Sequence, residues 1–102
     1  MTVNNIEKAV DRLYQECFGK HCEQASVRFR GVNGVSKHFS YSTSMDAGTV
    51  ASVPLSGWDK PMWRAFLERA EAYYEKNSMF KIDRIDAVIL TPAKGPEITY
   101  VV

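Results

Sequence analysis

The stretch VRFRGVNGVSKHFSY, residues 27–41, decides the fold because it predicts a β-hairpin with two different faces. Apolar and polar residues alternate on each side of Asn33-Gly34, a dipeptide typical of short hairpin turns. The apolar set is Val27, Phe29, Phe39 and Tyr41, and the polar set is Arg28, Arg30, His38 and Ser40. One face of this hairpin is therefore expected to be buried.

Two rules conflict over how these strands pair. A two-residue Asn-Gly turn would place Phe29 opposite His38 and mix the faces, whereas pairing Phe29 with Phe39 and Val27 with Tyr41 needs an odd-length loop or a bulge. Because a one-residue slip moves every side chain to the wrong face, burial should outweigh turn preference. We predict the bulged register, with Phe29 and Phe39 on one face and Arg28 and His38 on the other.

Before the hairpin, an apolar stripe at helical spacing predicts a helix over about residues 4–18. The stripe is Ile6, Val10, Leu13, Tyr14 and Cys17. Asn4 and Glu7 have the spacing of a capping box, and Gly19 can adopt the left-handed conformation that ends a helix.

After the hairpin, residues 42–58 are rich in Ser, Thr, Ala and Gly and predict no clear element beyond a short strand over 49–53. A loop of this length in a compact domain is usually functional, disordered or an element that pattern reading misses.

A second helix is predicted over about residues 60–76, where Asp59 can cap the helix and Pro61 is tolerated in its first turn. Its apolar stripe is Trp63, Phe66, Leu67, Ala70, Tyr73 and Tyr74, and its solvent side is Arg64, Glu68, Arg69, Glu71 and Glu75. Asn77-Ser78 is expected to end it.

The last part of the chain predicts a second hairpin around residues 92–96, with a final strand over 98–102. Strict alternation places Ile85, Ala87 and Ile89 toward the helices. The residues expected to point away from them are Val88, Leu90, Thr99 and Val101.

The order α-β-β-α-β-β predicts an α+β fold with two layers: a four-stranded, mainly antiparallel sheet with both helices on one face. A length of 102 residues fits one domain over 1–102, and 45% apolar with 25% charged residues is typical of globular proteins. Two cysteines are too few for a secreted disulfide scaffold, the first residues do not resemble a signal peptide, and no apolar run approaches the roughly 20 residues that span a bilayer. A soluble, cytoplasmic protein without a membrane partner is expected.

No motif of high specificity predicts catalysis, a metal or a cofactor. Cys17, His21 and Cys22 lack the spacing of the common zinc sites, and Cys17 also belongs to the apolar stripe of the first helix. No nucleophile elbow frames a serine, and the glycines fit neither nucleotide-binding pattern. We therefore predict no catalytic residue, no metal ligand and no cofactor.

Two surfaces are candidates for interaction. The net charge is only +1, which disfavours bulk attraction to nucleic acid, yet residues 24–45 carry Arg28, Arg30, Lys37 and His38 with no carboxylate before Asp46. The second candidate is the outer face of the last hairpin, with Val88, Leu90 and Val101. Trp58, Met62 and Trp63 cluster at the start of the second helix, and such a cluster is more often core; Trp58 is a candidate hot spot if it is exposed beside the 42–58 loop.

The leading hypothesis is a non-enzymatic protein-binding module: an adaptor, inhibitor or accessory factor, of which a phage or plasmid inhibitor fits the size. It would bind another protein or a second copy of itself, as a homodimer, through the outer sheet face or the 42–58 loop. The alternative is a nucleic-acid-binding module that uses the basic hairpin, residues 26–40. A small-molecule enzyme ranks third.

Overall fold

A computed structural model describes residues 3–41, 53–76 and 79–102 and confirms the order α-β-β-α-β-β. The elements are α1 (Ile6–Cys17), β1 (Cys22–Gly31), β2 (Ser36–Ser40), a 3-10 turn (Leu55–Gly57), α2 (Lys60–Glu75), β3 (Ile82–Pro92) and β4 (Ile98–Val101). The four strands form one antiparallel sheet in the order β2-β1-β3-β4. Of the expected strand over 49–53 only Val53 is described, outside any strand, and Asn77-Ser78 lies outside the described residues.

Helix α1 buries most of the predicted stripe, but its first turn differs from the prediction. Ile6, Val10, Leu13 and Cys17 are buried, and Tyr14 is partly buried. The prediction of a capping box at Asn4 and Glu7 is wrong. Asn5 occupies the N-cap with φ 72°, and its side chain makes no capping hydrogen bond. Asn4 is instead tied to β3, where its carbonyl accepts a hydrogen bond from the Ile85 amide at 3.3 Å. Gly19, with φ +75°, ends the helix as expected.

Helix α2 begins as predicted and differs along its flank. The Asp59 side chain accepts a hydrogen bond from the Met62 amide at 2.9 Å, and Pro61 lies in the first turn. Tyr73 and Glu71 were assigned to the wrong sides, because the buried stripe drifts around the helix: Tyr73 is exposed and Glu71 is buried. Burial raises the pKa of Glu71, and the charge of Glu75 acts in the same direction.

The β1–β2 hairpin confirms the predicted faces and corrects the predicted pairs. Val27 lies opposite Phe39 and Arg28 opposite His38, so the apolar residues share one face. The loop has three residues, 32–34: the Gly31 amide donates to the Val35 carbonyl at 2.8 Å, and Gly34 adopts φ +87°. The turn is centred one residue earlier in the chain than the predicted register requires. Each β1 residue therefore pairs with the β2 residue two positions before its predicted partner, as Val27 does with Phe39 in place of Tyr41.

A β-bulge in β3 reverses the predicted faces of its second half. Arg28 lies opposite Ala87 and Phe29 opposite Ile85, so Asp86 is an extra residue in β3. Beyond it the alternation is inverted, which places Val88 and Leu90 in the core, at 0% and 2% exposure. The prediction that these two side chains point away from the helices is therefore wrong.

Strand β4 follows the inverted alternation. Thr99 lies opposite Ile89 and Val101 opposite Ala87, so all four share the face away from the helices. Thr99 and Val101 point outward as predicted and are exposed. Ala87 and Ile89 were expected to face the helices, but they lie on the opposite face of the sheet.

The core lies between the helices and the inner face of the sheet and is rich in aromatic rings. The rings of Trp58 and Trp63 lie 4.6 Å apart, and both are buried. The Trp58 indole nitrogen donates to the Val53 carbonyl at 3.0 Å. Trp58 directly follows the 3-10 turn and is a core residue, so the exposure that would make it a hot spot is not met.

Candidate interaction face

The face of the sheet opposite the helices is the candidate site, and we call it the outer face. No helix among residues 3–41, 53–76 and 79–102 lies on it, since both pack on the inner side. The strand registers assign to it Ser26, Arg28, Arg30, Ser36, His38, Ser40, Arg84, Asp86, Ala87, Ile89, Thr91, Thr99 and Val101. It is mainly polar: of its three aliphatic residues Val101 is exposed, whereas Ala87 and Ile89 are buried.

At the centre of the outer face, one carboxylate joins two arginines from the neighbouring strand. Arg28 Nε donates to Asp86 Oδ1 at 2.9 Å, and Arg30 Nε and Nη2 donate to Asp86 Oδ2 at 3.0 and 2.8 Å. Asp86 is the extra residue of the β3 bulge and lies on this face next to both guanidinium groups, whereas the residues after it change faces. We call these three residues the arginine–aspartate cluster.

The electrostatics of the cluster keep Asp86 ionised. Burial by itself would raise the pKa of this carboxyl, whose side chain is only 14% exposed. Hydrogen bonds from Arg28 and Arg30, and their charges, outweigh burial and hold the pKa of Asp86 below its usual value. With two cations and one anion, the cluster keeps an excess of one positive charge.

The two arginines differ in what remains available to a ligand. Arg30 also donates from Nη1 to the Gly34 carbonyl at 3.1 Å, so all three of its nitrogens are engaged. Arg28 uses Nε, and within the described chain its two terminal nitrogens make no hydrogen bond. Arg28 is therefore held at its inner end and open at its outer end, with its side chain 31% exposed.

A shallow depression of about 50 Å³ lies beside the cluster. It is lined by Gln24, Ala25, Ser26, Ser40, Ile89, Thr91 and Glu97. Ser26 and Ser40 are cross-strand partners, two positions along their strands from Arg28 and His38. The depression thus offers hydroxyl, amide and carboxylate groups around an aliphatic residue, with room for a few water molecules or one small side chain.

Both edges of the sheet have a carbonyl engaged by a helix. The Gly31–Val35 and Ala25–Tyr41 hydrogen bonds show that odd-numbered residues of β2 bond to β1, so the His38 carbonyl points outward, where the Tyr74 hydroxyl donates to it. At the other edge, Arg12 Nη2 donates to the Val101 carbonyl at 3.4 Å. These contacts obstruct the addition of a further strand at either edge.

The structure brings together only half of the interaction residues predicted from the sequence. Arg28, Arg30, His38 and Val101 lie on the outer face. Lys37 lies on the inner face, opposite Phe29, with its ammonium nitrogen 5.7 Å from the centre of the Phe80 ring. The remaining predicted residues, Trp58, Val88 and Leu90, are in the core.

Sequence reasoning missed Asp86, the counter-charge of the supposedly unbalanced basic hairpin. It lies 58 positions from Arg28, and only the pairing of β1 with β3 brings the two together. The one available signal was that Asp86 directly precedes the apolar run from Ala87 to Leu90.

A second exposed surface lies at the tip of the β1–β2 hairpin. Val32 and Val35 are 67% and 49% exposed, and the Val32 amide donates to the Lys81 carbonyl at 3.0 Å. The loop is thereby fixed beside the segment before β3, where Met79 is also exposed. The sequence analysis did not single out this tip.

The described residues give little support for a metal site or for a nucleophilic thiol. Among them, no group of three His, Cys, Asp or Glu side chains is placed to hold a metal ion. Burial raises the pKa of the Cys17 thiol to about 12, with the neighbouring Cys22 thiol acting in the same direction, so Cys17 is a weak nucleophile at neutral pH. None of the helices in the described ranges has the length and apolar character needed to cross a membrane.

Comparisons of this chain with models of known protein families, with curated proteins and with solved structures find no match.

Proposed function

We propose that this protein is a non-enzymatic protein-binding module that holds its partner against the outer face. The observation that carries the proposal is the arginine–aspartate cluster, which fixes two arginines, 31% and 36% exposed, on a face that no described helix covers. Arginine is enriched at protein interfaces, and side chains that are already ordered lose less entropy on binding. Whether the module acts as an adaptor, an inhibitor or an accessory factor follows from the partner.

The polar character of the outer face agrees with a reversible interaction. Interfaces between proteins that also exist apart are about as apolar as the rest of the surface, so a large exposed hydrophobic patch is not required. Thr99 and Val101 supply exposed contact area next to the cluster. The engaged carbonyls of His38 and Val101 favour docking on the face over pairing at an edge.

The nucleic-acid alternative has one observation in its favour, the presence of Arg28, Arg30 and His38 on one face. Two observations weigh against it. Asp86 already accepts hydrogen bonds from both arginines, and the hairpin aromatics Phe29 and Phe39 lie in the core, where they cannot stack on bases.

The test is affinity capture from the source cell with matched valine variants. Val101→Asp places a charge on the outer face, and Val32→Asp places the same charge on the hairpin tip, at 71% and 67% exposure in the wild type. We expect wild type and Val32→Asp to retain the same bound protein and Val101→Asp to lose it, because a charge in a desolvated contact is costly. Both variants should keep the wild-type melting temperature.

The opposite pattern would contradict the proposal. If Val101→Asp binds normally and Val32→Asp loses the partner, the hairpin tip is the interface. If nucleic acid elutes in place of protein, the alternative function takes the leading place.

A further inference from the structure

We propose that Arg28 is the recognition residue of the outer face and that it binds a carboxylate of an acidic segment in a protein partner. This inference rests on the proposed function and deepens it, because it states the chemistry that the partner must present. It follows from the difference between the two arginines of the cluster, from the local charge and from the surroundings of Arg28.

The geometry separates an anchored arginine from an open one. Arg30 has all three nitrogens engaged, two on Asp86 and one on the Gly34 carbonyl. Arg28 is oriented through Nε alone, which leaves the pair Nη1 and Nη2 without a partner in the described chain. Two parallel N–H groups at the end of a guanidinium match the two oxygens of a carboxylate.

The local charge favours an anion at this position. Asp86 neutralises one of the two guanidinium groups and leaves an excess of one positive charge. The next arginine on the face, Arg84, does not change this balance, since its Nη1 donates to Asp83 at 2.6 Å. An incoming carboxylate would therefore complete a neutral group of two arginines and two acids.

The surroundings of Arg28 favour a peptide over a polyanion. A nucleic-acid strand needs several phosphate contacts in a row, yet in the cluster only Arg28 has free terminal nitrogens. Along β1, the depression that contains Ser26 begins two residues from Arg28, and the Glu97 carboxylate in its lining disfavours a second acid there. An acidic side chain on Arg28 with a small neighbouring side chain in the depression is an arrangement that a protein segment can supply.

The experiment selects short random peptides displayed on phage against the full-length protein and measures the affinity of the enriched peptides. We expect these peptides to carry Asp or Glu. Arg28→Gln should weaken binding about tenfold to a hundredfold, as for the loss of hydrogen bonds to a charged group. Arg28→Lys, which keeps the charge and loses the paired donors, should weaken it less and guards against a fold defect in Arg28→Gln.

A thermodynamic cycle ties the effect to one contact. Replacing the peptide's acid by its amide should weaken binding to the wild-type protein by the same factor. It should weaken binding to Arg28→Gln little further, because the interacting pair is already broken in that variant. A second arm titrates the protein with a mixed-sequence single-stranded oligonucleotide at physiological salt, where we expect no binding of comparable strength.

The failures of this inference and of the proposed function are distinguishable. Peptides without acids that bind Arg28→Gln normally but fail on Val101→Asp would overturn the carboxylate inference and leave the outer face as the interface. Peptides lost only on Val32→Asp would overturn both. An empty selection, or tight oligonucleotide binding that Arg28→Gln abolishes, would also overturn the carboxylate inference.

Discussion

At the scale of single residues, the function proposed here depends on Asp86 more than on any residue singled out in the sequence. One carboxylate converts two repelling arginines into an ordered pair and decides which of them stays open. The sequence did predict that Arg28, Arg30 and His38 share a face, because burying an unpaired arginine is costly. It did not reveal Asp86, since cross-strand partners follow from sheet register and not from local pattern.

Asp86→Asn should lower the free energy of unfolding by about 1–3 kcal/mol at pH 7, because two arginines then lack a charged partner and solvent screens only part of the loss. The pKa of Asp86 is lowered in the folded protein, so its stabilisation is present above the unfolded pKa, near 3.8, and is lost as the pH falls through the folded value. Urea titrations should show that the wild-type protein loses the stabilisation by Asp86 below about pH 4. The free energy of unfolding of Asp86→Asn should depend less on pH in that range.

Asp83→Asn is the matched control, because Asp83 pairs with Arg84 at a more exposed site, 38% and 44% exposed. It should cost less than about 1 kcal/mol. Equal losses for the two variants would show that the cluster contributes no more than an ordinary surface ion pair.

At the scale of elements, one inserted residue explains why the sequence analysis assigned four residues of β3 to the wrong faces. Helical stripes and hairpin faces follow from periodicity, and α1, α2 and the β1–β2 faces were predictable for that reason. In β3 the period of two is broken at Asp86, and no glycine or other local signal marks the bulge. Strict alternation therefore assigned Val88 and Leu90 to the surface and Ala87 and Ile89 to the core.

Leu90→Asp tests the inverted alternation. Leu90 is in the core, so a buried carboxylate there should reduce the free energy of unfolding by more than about 3 kcal/mol or prevent folding. Thr99→Asp, on the outer face of the neighbouring strand, should change it by less than about 1 kcal/mol. If denaturant titration finds Leu90→Asp as stable as wild type, the alternation continues through Asp86 without a bulge.

At the scale of the whole molecule, one side of the sheet forms the core with the helices, and the other side stays available for binding. The two helices and the inner face of the sheet bury the aromatic core, and both sheet edges carry a carbonyl engaged by a helix side chain. Within residues 3–41, 53–76 and 79–102, the outer face and the hairpin tip around Val32 and Val35 are both exposed. The order of elements was enough to predict the two layers, whereas the choice between the two surfaces depends on where the chain places its charges.

The most direct test is an NMR titration of the full-length protein with the captured partner or an enriched peptide, following side-chain signals on both surfaces. The account predicts that the Arg28 Nε–H and the methyl groups of Ile89 and Val101 shift on binding, while the methyl groups of Val32 and Val35 do not. Shifts confined to Val32 and Val35, with Arg28 unchanged, would contradict the claim that the outer face is the binding surface.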